Sequence, residues 1–358
     1  MARKKTTYYE EFSRSKFIEL NHRLADLPVF CREFFIGIEL RTSVLTRLNY
    51  ARDLEIFFDF LQKSIAGFEY IATDELTLTD IEKLKTSDIE FFLSYLTYYE
   101  YKGHQYANGE KAKARKLSAI RALLKFFYNK DKLSKNVASK VNTPKLHEKE
   151  IVRLTDREVT ALLELTESEN KFETTRKDLY NLNTRDRDAA ILTLFLGTGI
   201  RVSECVGLNA SDIHLEEKAF VVTRKGGNRT TLYFSDEVAE TLEKYMKVRE
   251  QKLFELGDTD EDALFLSLQN KRITVRAVQN IVKKYTQAVN PIKSVSPHKL
   301  RSTYGTALYR ETKDIYVVAE VLGHRDVNTT KKHYAAIGED IKRAASDKHV
   351  LRMNKDES

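Results

Sequence analysis

Six residues of types that do phosphate chemistry stand at the punctuation points of the second half of the chain. Arg201 lies in Gly-Thr-Gly-Ile-Arg-Val-Ser-Glu, and Lys225 in Arg-Lys-Gly-Gly-Asn. His298 and Arg301 share Pro-His-Lys-Leu-Arg. His324 lies in Leu-Gly-His, and Tyr334 follows ten residues later in Lys-Lys-His-Tyr-Ala. Taken singly, each has an ordinary structural account: a surface charge, a helix cap, or one packed tyrosine among 18. Together they make a coherent set. Two arginines can clamp the non-bridging oxygens of one phosphate and stabilise the extra charge of a pentacovalent transition state. A tyrosine hydroxyl can be the nucleophile, but a free pKa of about 10 requires cations or a base beside it. A lysine or histidine can protonate the departing sugar oxygen. This chemistry demands no metal. His298, His324 and His333 match no zinc spacing, and arginine-rich surroundings would repel a cation. His333 is set about 100° from Tyr334 on a helix, which leaves it structural or DNA-facing.

The elements that must position these groups follow from local pattern. The stretch 188–196 is apolar nearly all round, so it reads as a helix central to a core, with Gly197 ending it in the left-handed conformation. Residues 219–223 and 230–234 read as two strands, with Gly226-Gly227 supplying the hairpin turn that carries Lys225. Pro297 suits a helix start, and i, i+3 spacing places His298 and Arg301 on one face. Gly323 ends the helix before His324, and Asn328 can cap the one that carries Tyr334.

The first 145 residues read as helical. Phe17, Leu20 and Leu24 share a face, and Leu27-Pro28 ends that run. Ser43 caps a helix through residue 61, with Leu54, Phe57, Phe58 and Leu61 as its stripe. Thr86 and Ser87 precede a helix over 88–97. A fourth runs over 111–129. It turns Leu117, Ile120, Leu124 and Phe127 to one side, and Lys113, Arg115, Lys116, Arg121 and Lys125 to the other. The polar stretch 142–150 lacks periodicity, and Thr155 with Glu158 opens a new helix as a capping box. The expected organisation is a helical domain over 1–145, a linker over 146–151, and a second domain over 152–358 with a tail helix near 339–345.

Composition sets the bounds. The 358 residues, 42% apolar, are enough for two domains with real cores. A net charge of +7 mildly favours a polyanion partner. No stretch approaches the roughly 18 apolar residues of a membrane span. The opening MARKKTTYYEEFSR has no apolar core behind it, so no export signal is expected. Two cysteines without metal or disulfide spacing fit a reducing cytoplasm.

At these motifs the chain resembles the tyrosine recombinase and phage-type integrase family. That pattern is an arginine in a Gly-x-Arg-x-Ser-Glu-like segment, a hairpin lysine, His-x-x-Arg, Leu-Gly-His and a tyrosine about ten residues on. The segment Leu-Pro-x-Phe-x-x-Glu-Phe-Phe and the residues Ser43, Thr46, Tyr50, Asp53, Leu54, Phe57 and Phe58 are similar to the Xer branch, especially its longer single-recombinase form. The resemblance implies a mainly α, two-domain fold. A helical, SAM-like core-binding domain would precede an α+β catalytic domain with a small antiparallel sheet, and no arm-binding domain is expected. It implies that Arg201 and Arg301 bind the scissile phosphate, that Lys225 is the general acid, and that His298 acts as acid or base. It further implies that His324 hydrogen-bonds the phosphate and that Tyr334 forms a 3′-phosphotyrosyl bond. Glu204 would stand behind Arg201, because a carboxylate beside a phosphate would repel it. No cofactor is implied.

The implied partner is duplex DNA. Its expected phosphate contacts are Lys113, Arg115, Lys116 and Arg121 in the first domain, Arg224 and Arg229 on the hairpin, and Lys299, Arg325, Lys331 and Lys332 near the reactive centre. The resemblance also implies a dimer on one site and a tetramer in synapsis, with exchange of the C-terminal helix. An accessory translocase or directionality factor is compatible with it. The set serves chromosome dimer resolution and mobile-element integration or excision equally. Two competitors share parts of it: a type IB topoisomerase-like nicking-closing enzyme, and a DNA-binding regulator without cleavage.

Overall fold

Polar residues mark where several of the helices begin. Ser43 accepts a hydrogen bond from the Thr46 N–H, and Thr155 and Glu158 form a reciprocal capping box. The computed structural model describes residues 7–145, 152–167, 175–224, 228–257, 261–324 and 326–327; of 175–183 it describes the backbone. The chain divides into two units, Met1–Lys149 and Glu150–Ser358.

The first unit is built from α1 (Tyr8–Ala25), α2 (Cys31–Gly37), α3 (Val44–Ser64), α4 (Leu78–Glu82), α5 (Thr86–Tyr95), a hairpin of β1 (Tyr99–Tyr101) and β2 (His104–Tyr106), and α6 (Glu110–Tyr128). Its core is aromatic. Phe34, Phe57, Phe58, Phe60, Phe92 and Phe127 are all fully buried. The stripe expected on α3 is fully buried, and the helix continues to Ser64. Leu20 of α1 is buried, whereas Phe17 is exposed. Helix α5 begins at Thr86, before the expected Asp88, because the Asp88 carboxylate reaches back to the Lys85 N–H at 2.8 Å and so acts from the third helical position. The hairpin was not expected. Its signal was Lys102-Gly103, where both residues take positive φ (50° and 75°), as a two-residue turn requires.

Helix α6 corrects one expectation. Lys116 is buried rather than on the open basic face. It precedes the buried Ala119 and Ile120 by three and four residues, which puts it on their side of the helix. Its ammonium lies 3.8 Å from Asp53 Oδ1, while Arg115 Nη1 lies 2.5 Å from Asp53 Oδ2. Burial pushes the Asp53 carboxyl up to about 6 against the pull of Arg115 and Lys116.

The second unit holds α7 (Asp156–Glu167), α8 (Thr175–Thr198), α9 (Val202–Gly207), β3 (Ile213–His214), β4 (Ala219–Thr223), β5 (Arg229–Tyr233), α10 (Asp236–Leu256), α11 (Val275–Val289), α12 (Pro297–Thr312) and α13 (Ile315–Leu322). The strands form an antiparallel sheet in the order β3-β4-β5, with Phe220 opposite Leu232 and Thr223 opposite Arg229. Helix α8 runs through the core, with Ala190, Ile191, Leu192, Leu194 and Phe195 fully buried. It is far longer than the expected 188–196, because its first half is polar and only the second half carries an apolar signal. Gly197 does not end it. The left-handed residue is Gly199 (φ 62°), and Gly197 instead stays helical and admits Val238, whose Cγ2 lies 2.5 Å from where a Cβ would be.

Among the described residues no helix is long and apolar enough to cross a membrane. Cys31 and Cys205 are buried, and burial pushes both thiols above their ordinary range.

Candidate active site

Three chain reversals build the site. After α8 the left-handed Gly199 turns the backbone, so that Arg201 becomes the cap residue of α9. Glu204, three residues on and buried, accepts from the Arg201 backbone N–H at 3.0 Å and from its Nη1 at 2.8 Å. One carboxylate therefore caps the helix and aims the guanidinium, as expected of a residue standing behind Arg201. The second reversal precedes α12. Pro297 takes its first position, His298 is exposed in the first turn, and Arg301 is buried one turn later.

The third reversal ends α13. Gly323 is left-handed (φ 62°), its N–H donates to Glu320 O at 2.8 Å, and the His324 N–H donates to Ala319 O at 2.9 Å. Those two bonds are a Schellman motif. They leave the last carbonyls of the helix to other donors, at the end where its dipole is negative. Three guanidiniums supply them. Arg224 Nη2 donates to Val321 O at 3.1 Å, Arg301 Nη2 to Leu322 O, and Arg201 Nη2 to Gly323 O at 2.9 Å. Arg301 Nη1 also donates to Gly199 O at 2.5 Å, which joins the first reversal to the third.

The structure thus brings Arg201, Arg301 and the half-buried His324 to one helix end, with His298 one turn before Arg301. Lys225 and Tyr334 lie outside the described residues, as do Arg325, Lys331, Lys332, His333 and the tail helix. Arg224, read from sequence as a DNA contact, is half-buried, and its Nη2 donates to Val321 O. Burial lowers its pKa and Arg201 repels it, while Glu204 draws the other way. Nothing in the sequence separates an inward from an outward arginine at a hairpin.

The other expected contacts are spread over both units. In the first, Lys113 donates to Thr97 Oγ1 at 2.7 Å, Arg115 is exposed, and Arg121 donates to Ala138 O, Val141 O and Thr143 Oγ1. In the second, Arg229 lies 3.5 Å from Asp212 Oδ1, and Lys299 donates to Ser294 O. Sequence reasoning also missed what steadies the loop before α12. Glu158 accepts from Lys293 Nζ at 2.6 Å and from Asn290 Nδ2 at 2.7 Å, while Lys293 also reaches Arg153 O at 3.2 Å.

Two guanidiniums fixed by a carboxylate and by adjacent backbone carbonyls of one turn are groups that can bind an anion. Residues 152–339 match the model of the phage integrase family.

The chain belongs to that family.

It is a tyrosine recombinase of the Xer-like kind, an enzyme that transfers DNA strands at specific sites. The recombinase is 34% identical to the tyrosine recombinase XerC of Caldanaerobacter subterraneus subsp. tengcongensis, over 89% of this chain and 85% of that protein. It is 30% identical to the tyrosine recombinase XerS of Lactococcus lactis subsp. cremoris, over 89% of this chain and 94% of that one. Its fold resembles that of an XerH site-specific recombinase bound to palindromic difH substrate in a post-cleavage complex, with a TM-score of 0.65 and 18% identity over 85% of this chain and 80% of that chain. It also resembles a lambda integrase dimer bound to a COC′ core site, with a TM-score of 0.58 and 15% identity over 85% and 93%. The recombinase therefore has the two-domain, mainly helical fold expected of its family, with small antiparallel sheets beside the helices.

Proposed function

We propose that this recombinase cleaves and rejoins duplex DNA through a 3′-phosphotyrosyl bond to Tyr334. Arg201 and Arg301 hold the scissile phosphate. His324 hydrogen-bonds it, Lys225 protonates the 5′ oxygen as it leaves, and His298 exchanges a proton near the nucleophile. The tyrosyl ester retains the energy of the broken phosphodiester, so rejoining needs no nucleotide cofactor. The observation that carries this reading is the meeting of Arg201 and Arg301 at the Leu322–Gly323 turn, one residue before His324.

The recombinase binds one site as a dimer and pairs two sites as a tetramer, with each tail helix docked on a neighbouring subunit. It works in the bacterial cytoplasm on DNA. Its role is chromosome dimer resolution or the integration and excision of a mobile element. Likeness to XerC and XerS proteins over most of the chain supports the first of these.

The test uses a pool of duplexes nicked within randomised inverted repeats, so that the short cleaved strand diffuses away and traps the intermediate. The native chain should give a protein–DNA adduct that survives denaturation, and Tyr334→Phe should give none. No adduct from the native chain favours a regulator without cleavage. An undiminished adduct from Tyr334→Phe moves the nucleophile elsewhere. Relaxation of plasmids irrespective of the recovered site favours a nicking-closing enzyme.

A further inference from the structure

The six residues assigned to cleavage leave one guanidinium of the site without a role. Arg224 follows directly on β4, and its own N–H donates to Asn228 O at 2.8 Å, just before β5. Its side chain crosses to α13 and donates to Val321 O. There it lies over Gly323, where a Cβ would fall 1.5 Å from Nη1 and 2.3 Å from Cζ. Gly323 is thus required twice, by its positive φ and by the arginine packed on it. Arg224 Nε is buried and meets no acceptor among the described residues. The half-buried side chain, its Nε without an acceptor among the described residues, thus packs against a helix end already held by Arg201 and Arg301.

We propose that Arg224 is a positioning residue for strand cleavage: it ties the end of β4 to the last turn of α13 and so holds the Gly323–His324 turn, and Arg201 against it, in place for the phosphate. This replaces the expectation that Arg224 grips DNA, and it rests on the roles given above to His324 and Arg201.

The full-length recombinase is compared with Arg224→Ala, Arg224→Lys, His324→Ala and the double variant Arg224→Ala/His324→Ala. The probe is the nicked duplex recovered by trapping. Affinity is measured across a salt series, and adduct formation under single-turnover conditions. Arg224→Ala should slow adduct formation by on the order of tenfold, with affinity within about twofold of native and an unchanged salt slope. Arg224→Lys should resemble Arg224→Ala, because an ammonium keeps the charge but not the planar group that spans Gly323. The double variant should be no more than about twofold slower than His324→Ala, since both changes act through one turn.

A weaker, shallower salt response with a normal rate on bound DNA makes Arg224 a DNA contact and overturns the proposal. Fully multiplicative losses in the double variant also overturn it. If His324→Ala alone cleaves normally while Arg224→Ala is slow, the role of His324 falls. Positioning is then judged by coupling to Arg201→Lys, and independence there overturns it. Should Arg224→Ala fail to fold, Arg224→Lys takes its place in the same measurements, and the same outcomes support or overturn the proposal.

Discussion

Arg301 Nη1 donates to the carbonyl oxygen of Gly199, 102 residues earlier in the chain, at 2.5 Å. Through its other amino group the same buried side chain reaches Leu322 O. One guanidinium therefore fastens the turn after α8 to the end of α13. The residue assigned to the phosphate is also a structural tie between the two turns that carry Arg201 and His324.

Arg301→Ala should accordingly lose stability as well as cleavage. It removes a buried charged donor and leaves two buried carbonyls short of a partner, which costs about 3 kcal/mol. Urea unfolding of native and variant checks this. A variant as stable as native would reduce Arg301 to a phosphate ligand alone.

Gly199 and Gly197 should respond differently to alanine. At Gly199 the new Cβ meets Tyr304 Cδ1 at 2.5 Å and Leu322 Cδ2 at 2.9 Å in a left-handed backbone, so Gly199→Ala should cost about 2–4 kcal/mol. At Gly197 the conflict is with Val238 Cγ2 alone. Gly197→Ala should be rescued in part by Val238→Ala, and Gly199→Ala should not. Thermal melts of the four proteins decide between these outcomes.

Glu158 gives the second unit a pH response. Burial raises its carboxyl, but Lys293, Thr155 and Asn290 outweigh it and hold the pKa at about 2, below the ordinary 4.5. A depressed pKa in the folded state stabilises above the unfolded value, and the contribution is lost as pH falls toward the folded one. Glu158→Gln should therefore cost about 1 kcal/mol at pH 7, allowing for solvent screening. The gap between variant and native should close between roughly pH 4.5 and 2. A gap independent of pH would mean that the carboxylate charge is not involved.

Lys113 and Lys116 sit three residues apart on α6 and should fail in different ways. Lys113→Ala should weaken duplex binding a few-fold and lower the salt slope by about one, without loss of stability. Lys116→Ala should destabilise the first unit by about 1–3 kcal/mol, because the buried Asp53 loses one of its two cations. Affinity titrations and denaturant melts on both variants separate the two roles.

Deletion of all residues after Ile337 should leave binding to a single site intact and impair synapsis or strand exchange. Gel-shift and recombination assays on the truncated chain test this. Full recombination by that protein would remove the proposed exchange of tail helices.

Much of this was legible in residue order, because it depends on local rules. A serine before an apolar stripe starts a helix, a proline opens one and a glycine ends one. Each of those rules acts within a few residues, so Ser43, Thr155, Pro297 and Gly323 marked boundaries that the structure reproduces. The motifs around Arg201, Arg301 and His324 were legible for the same reason.

What the order of residues left open is every choice set by packing between distant segments. Gly197 and Gly199 are both plausible helix ends, and only the arrival of Val238 beside one, and of Tyr304 and Leu322 beside the other, tells them apart. Lys116 and Arg224 look like their exposed basic neighbours, yet one is buried against Asp53 and the other is folded over Gly323. Local pattern records what a residue can do. Whether an arginine faces solvent or the end of a helix depends on which carbonyls the rest of the chain brings within about 3 Å of it, and that is decided by tertiary structure alone.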